Sequence, residues 1–181
     1  MSLFRDFRPA LLFLGKFLAL YFVGNILYGI YIESFGDRPD PVTRSVTSQT
    51  VTCLNMLGYQ AAMDDHPSTA QVRMKIAERN VLSIFEGCNG INVLIVFVSF
   101  LFAFGGPPKK LLLFLPLGLI VIHVVNLLRL SLLFYLALDN SRHFYYFHKY
   151  VFTSILYLVV FALWALWVAG FNEKRNIKTT A

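Results

Sequence analysis

Charge is what this sequence lacks most. Only 14% of its 181 residues are Asp, Glu, Lys or Arg, against 57% hydrophobic, and the mean hydropathy is +0.61. A soluble domain of this length needs more charge to cover its surface, so that class is excluded. Cysteine is scarce too: Cys53 and Cys88 allow at most one structural disulfide. No internal repeat or low-complexity segment divides the chain, which reads as one domain, 1–181. Basic residues form no patch beyond the ends of the apolar runs, so the pI near 9.4 is not a nucleic-acid footprint. No pair of His, Cys or carboxylate residues shows ligand spacing on one element, so neither a metal nor another cofactor is expected.

Apolar sequence is what remains, in four runs: 9–32, 89–104, 111–138 and 150–171. A helix needs roughly 20 residues to cross a hydrocarbon core about 30 Å thick. The second run is the shortest, which puts its outer end close to the interface. The first is too long for a secretory h-region and lacks an A-x-A-like cleavage site, so it reads as a permanent helix. Placing both termini inside puts Arg5, Arg8, Lys16, Lys109, Lys110, Lys174, Arg175 and Lys178 on the cytoplasmic side, opposed there only by Asp6 and Glu173. The outer loop 33–87 carries five basic and seven acidic residues, as the positive-inside rule requires. The expectation is an all-α polytopic membrane protein with four transmembrane helices.

The loop 33–87 is too long for a plain connection, and long loops are usually functional. Asp37-Arg38-Pro39-Asp40-Pro41 reads as a break. Val42, Val46, Thr50, Leu54 and Leu57 then recur at helical spacing, which predicts an amphipathic helix over 42–59 lying on the membrane. Met63-Asp64-Asp65-His66-Pro67 reads as a turn. Residues 71–76 alternate, and 80–85 are expected to pair with them in a β-hairpin, giving a small extracytoplasmic helix/β-hairpin subdomain.

Counting along the helices places three reactive groups at one depth. Arg129 lies 19 residues beyond Lys110, about 28 Å of helix. Cys88 lies 17 residues before Gly105, about 25 Å, and His148 lies 23 before Phe171, about 34 Å. Ionisable groups at such positions are costly and need a reason. A thiol becomes a good nucleophile when its thiolate is stabilised. Arg129, a nearby imidazolium and the helix start after Cys88 would lower its pKa, whereas apolar burial would raise it. His148 can take the thiol proton and return one to a leaving amine. Arg129 can stabilise an oxyanion, Asn126 can orient it from the same helix face, and Glu86 can orient Arg129 or His148.

Each residue also has a plainer reading. An Arg at the membrane edge snorkels, a buried Cys packs as a small hydrophobe, and His148 beside Lys149 suits an interface. Cys53 and Cys88 could be disulfide partners. His123, two turns before Arg129, fits either a proton relay or a hydrogen bond to a neighbouring helix. His66 and His143 read as solvated loop residues.

Three blocks taken in order resemble a known family. Glu86-Gly87-Cys88-Asn89-Gly90, then Asn126-Leu127-Leu128-Arg129, then His148 at the start of the last run are similar to the signature blocks of exosortases. These are bacterial multi-pass membrane enzymes related to archaeosortases; the usual blocks are close to E-x-C-S-G, N-x-x-R and a single His. The resemblance covers roughly residues 80–170. Short length and Phe147-His148-Lys149-Tyr150 resemble the compact F-type branch of Bacteroidetes. The resemblance implies a cysteine transpeptidase or protease in the bacterial inner membrane, with Cys88, Arg129 and His148 facing the periplasm. It implies substrates that are exported proteins with a C-terminal motif, membrane helix and basic tail, and a dedicated membrane partner. Asn89 stands where the family commonly has Ser. A noncatalytic scaffold and a small proton-relay transporter are the rival readings, and the apolar sequence below His123 argues against the second.

Overall fold

The computed structural model describes residues 3–139 and 151–179. Helix α1 (Leu3–Glu33) is followed by a turn and by α2 (Pro41–Met56). Strands β1 (Ala61–Asp65), β2 (Val72–Ile76) and β3 (Arg79–Ile84) come next. A short 3-10 turn (Glu86–Cys88) then leads into α3 (Ile91–Phe104), α4 (Pro108–Leu138) and α5 (Phe152–Thr179). Among the described residues, three helical segments are long and apolar enough to cross a membrane: Phe7–Glu33, Pro108–Leu138 and Phe152–Gly170. The apolar helix α3 has 14 residues, about 21 Å, and is shorter than that requirement.

The region between α1 and α3 differs from the sequence expectation in one strand. The three strands form an antiparallel sheet in the order β1-β2-β3, and β1 takes in residues 63–65 of the stretch that reads as a turn at 63–67. Its acidic residues belong there because cations meet them. Asp64 pairs across the ladder with Arg73, which grips its carboxylate through Nε at 2.9 Å and Nη2 at 2.8 Å, and Lys75 joins the same carboxylate. Arg44 of α2 reaches Asp65 at 3.0 Å. Asn55 ties α2 to β1 by exchanging two hydrogen bonds with the backbone of Ala61, at 2.8 and 3.1 Å.

The start of α2 follows local rules. Asp40 caps it by accepting from the N–H groups of Val42 (2.9 Å) and Thr43 (3.0 Å), and Pro41 occupies a first-turn position where no N–H is needed. Its buried face carries Thr43, Val46, Thr47, Thr50 and Leu54, whereas Leu57 at its end is exposed. That face packs on α4 and the sheet.

Two apolar clusters hold the molecule. One joins α2, the sheet and the end of α4 through Val46, Leu54, Met74, Ile84, Leu130 and Phe134, and Cys88 belongs to it. The other joins α3, α4 and α5 through Phe97, Leu101, Ile122, Leu156 and Val160. Gly118 permits the α3–α4 approach, since a Cβ there would lie 2.2 Å from Phe97 Cζ.

Candidate active site

Cys88 sits at the end of the 3-10 turn, where the sheet hands the chain to α3. Its N–H donates to the Phe85 carbonyl at 2.8 Å, which closes the turn. Gly90 then takes φ +89°, a left-handed conformation that glycine adopts freely, and its carbonyl starts α3 by accepting from Val93 and Leu94 at 3.1 Å. The side chain of Asn89 accepts the N–H of Ile91 at 3.0 Å. The nucleophile candidate is thus held between a closed turn and a helix start.

From α4, Asn126 and Arg129 approach the same turn. Asn126 is buried; its Nδ2 donates to the Cys88 carbonyl at 3.1 Å, and its Oδ1 accepts from Arg129 Nη1 at 3.4 Å. Losing that donor would leave a buried carbonyl unsatisfied, at a cost of about 1–3 kcal/mol. Arg129 Nε is buried and has no hydrogen-bond partner among the described residues. A guanidinium with an uncommitted N–H beside a thiol is suited to meeting developing negative charge. A Cβ at Gly90 would stand 3.2 Å from Asn126 Nδ2, so glycine also makes room for this contact.

Electrostatics at the thiol oppose one another. Burial pushes Cys88 above the ordinary thiol range, the Arg129 charge and the turn's hydrogen bond pull it down, and Glu86 pushes it up. Burial prevails, and Cys88 is only 3% exposed. Burial thus favours the neutral thiol over the thiolate, the form that a nucleophile would need.

Asn89 makes contacts that the sequence did not foretell. Its Nδ2 donates to Tyr28 Oη of α1 at 2.7 Å and to Thr43 Oγ1 of α2 at 3.0 Å. The Tyr28 hydroxyl donates to the Glu86 carbonyl at 3.4 Å, and the Thr43 hydroxyl donates to the carboxylate of Asp40. A cleft of about 250 Å³ opens beside this turn, bordered by Val42, Ser45, Gln49, Asn89, Ile91 and His123. His123 hydrogen-bonds Gln49 of α2 through Nε2 at 2.7 Å. Of these partners, Asp40 reads in the sequence only as part of the break at 37–41.

Of the sequence candidates, Cys88, Asn126, Arg129, Glu86 and Gly90 come together at this turn, while His148 and His143 lie outside the described residues. Cys53 and Cys88 are both free thiols, so the disulfide alternative is not realised.

These features define a mostly helical polytopic membrane protein with a thiol, an amide and a guanidinium converging where a small sheet meets the helices. The transmembrane exosortase family model matches residues 4–167, and the chain belongs to that family. Neither a curated protein nor a solved structure matches it.

Proposed function

We propose that this chain is a membrane-embedded cysteine transpeptidase or protease that cleaves C-terminal sorting signals of exported proteins. Membership of the exosortase family supports the class. The observation that carries the chemistry is the Cys88 turn fixed by Asn126, with the buried, uncommitted Nε of Arg129 alongside. In this reading His148 takes the thiol proton and the Cys88 sulfur attacks the carbonyl carbon of the scissile amide. Arg129 stabilises the oxyanion. The C–N bond then breaks as the same proton passes to the leaving nitrogen, and a thioester remains. An acceptor amine or water attacks that thioester and restores the thiol.

The protein lies in the bacterial inner membrane with both termini cytoplasmic, the sheet and α2 on the periplasmic side, and α3 as a short fourth crossing. It forms one domain over 1–181, belongs to the F-type branch, and works on substrates bearing a motif, a membrane helix and a basic tail, with a dedicated membrane partner. Cofactors are not needed for this chemistry.

The test is processing of a co-expressed sorting-signal substrate. Cys88→Ala and Cys88→Ser should insert normally and abolish processing, and His148→Ala should slow Cys88 alkylation by a membrane-impermeant reagent. Normal processing by Cys88→Ala would leave only a scaffold role.

A further inference from the structure

The polar groups around Asn89 form a chain whose hydrogen-bond directions are set by the Asp40 carboxylate on the α2 side and by the Glu86 carbonyl on the α1 side. Asp40, Thr43 and Asn89 are all buried, at 3%, 0% and 3% exposure, so water does not complete their bonding. A carboxylate only accepts. Asp40 Oδ1 takes the N–H groups of Val42 and Thr43, and Oδ2 takes the single hydroxyl proton of Thr43. With that proton committed, Thr43 Oγ1 can only accept from its other neighbour, 3.0 Å away at Asn89. Residue 89 must therefore donate toward α2.

It must donate again toward α1. The Tyr28 hydroxyl proton points to the Glu86 carbonyl, so Tyr28 Oη accepts at 2.7 Å from the second hydrogen of Asn89 Nδ2. The Ile91 N–H at 3.0 Å fixes the amide orientation independently, because it requires an oxygen on that side. A carboxamide supplies two donors and one acceptor in one plane, and each is used. A serine has one hydroxyl proton and could serve Thr43 or Tyr28, but not both.

We propose that Asp40, Thr43, Asn89 and Tyr28 form a hydrogen-bonded strut of fixed polarity that positions the Cys88 turn, and that residue 89 is asparagine because this strut demands two donors. The strut joins α1 and α2 to the residue following the thiol, on both sides of Cys88 in sequence: at Glu86 and at Asn89. These are positioning residues, acting through the turn rather than on substrate. The proposal rests on the reading of Cys88 as nucleophile for its effect on turnover, but not for its effect on the thiol.

Reversing the polarity tests it. Asn89→Asp removes both donors, and Asp40→Asn, with its amide nitrogen turned to Thr43, leaves the buried Thr43 hydroxyl proton without its acceptor. Asparagine remains a good helix cap, so the second change spares α2 itself. In the double variant Asp40→Asn/Asn89→Asp the chain can run backwards from residue 40 as far as Tyr28, whose single proton then leaves the 3.4 Å bond to the Glu86 carbonyl. The carboxamide at position 40 donates to Thr43, Thr43 donates to the carboxylate at position 89, and that carboxylate also accepts from Tyr28 and Ile91.

The readouts are Cys88 alkylation rate against pH, and kcat and KM for the sorting-signal substrate, all on membrane-inserted protein. Each single variant should lower kcat about tenfold, the factor for one stranded buried polar group, with KM little changed and the alkylation profile displaced. The double variant should recover most of both. Thr43→Ser, which keeps the hydroxyl, should stay near wild type, while the isosteric Thr43→Val should behave like the single variants; this pair decides if an Asp variant does not insert. Wild-type behaviour of both single variants, a double variant no better than the worse single, or equal behaviour of Thr43→Ser and Thr43→Val overturns the strut. Should Cys88→Ala leave processing intact, the alkylation profiles still judge the strut, so the two readings fail separately.

Discussion

The two ends of the helical bundle invite comparison. Away from the sheet, Phe13 of α1 meets Phe100 of α3 edge-on at 5.5 Å, and Phe100 stacks on Trp164 of α5 at 4.2 Å. Trp167 adds one hydrogen bond to the Gly105 carbonyl at 3.2 Å. At the sheet-bearing end, the 3-10 turn and Asn89 after it are fixed instead by directional bonds: Tyr28 and Asn126 donate to the turn's carbonyls and Thr43 accepts from Asn89, set against the apolar cluster that contains Cys88. Ring packing depends on volume and gives way gradually when a side chain changes. A buried hydrogen-bond chain depends on the count of donors, and one wrong group leaves a partner stranded. The aromatic end can therefore hold helices together, while the polar end sets where a single carbonyl or thiol lies.

The largest effect should break this contrast or establish it. Phe97 is fully buried in the cluster away from the thiol, and Phe97→Ala should cost about 3–5 kcal/mol of stability from the cavity it leaves. It should lower the thermal midpoint of the detergent-solubilised protein yet leave the pH profile of Cys88 alkylation unmoved. A displaced profile would mean that the two ends are mechanically one. Arg129→Gln should do the reverse. Stability should change little, whereas processing falls about 100-fold, the usual loss for one oxyanion donor. Its effect on the thiol has a definite sign. Burial already holds Cys88 above the ordinary thiol range and Arg129 works against that, so removing the charge should move alkylation to still higher pH. An unchanged or downward profile would show that the guanidinium does not act on the thiol.

Gly90→Ala lies between these extremes, because it touches both backbone and network. An alanine at φ +89° is disfavoured by about 1–2 kcal/mol, and its Cβ would press on Asn126 at 3.2 Å. The expected result is a lower thermal midpoint together with a changed Cys88 alkylation rate. A midpoint shift without the second change would reduce Gly90 to a turn residue.

How far the sequence was legible follows the same division. The long helices could be read because lipid demands long apolar runs, and the shared depth of Cys88 and Arg129 because helical rise is constant. The Asn126–Arg129 pairing could be read because the two lie three residues apart on one helix face, but the bond from Asn126 to the Cys88 carbonyl could not. The helix start after Cys88 was legible from Asn89-Gly90, whereas Asp37-Arg38-Pro39-Asp40-Pro41 read only as a break and the cap at Asp40 came from the structure. The links from Asn89 to Thr43 and Tyr28 span 46 and 61 positions, and no periodicity reports them. Strand β1 was missed for a related reason. Asp64-Asp65-His66-Pro67 has turn chemistry by itself, and its extended form becomes favourable only when Arg73, Lys75 and Arg44 are brought alongside by the fold.

That strand supplies the smallest effect, and a sign that can be worked out. Lys75 and Arg73 hold the Asp64 carboxyl below the usual carboxylate range, although the group is exposed to solvent. A carboxylate whose pKa is depressed on folding adds stability above its unfolded value, about 3.9, and that contribution is lost as pH falls through the lower folded value. Exposure and salt screening keep it small. Asp64→Asn should therefore lower the thermal midpoint slightly at neutral pH, less so at high ionic strength. The difference from wild type should vanish on acidification through that window. Neither end of the helical bundle should notice: processing and Cys88 alkylation should match wild type. An effect on either would mean that the sheet's charged face, and not only the buried strut, sets the position of the Cys88 turn.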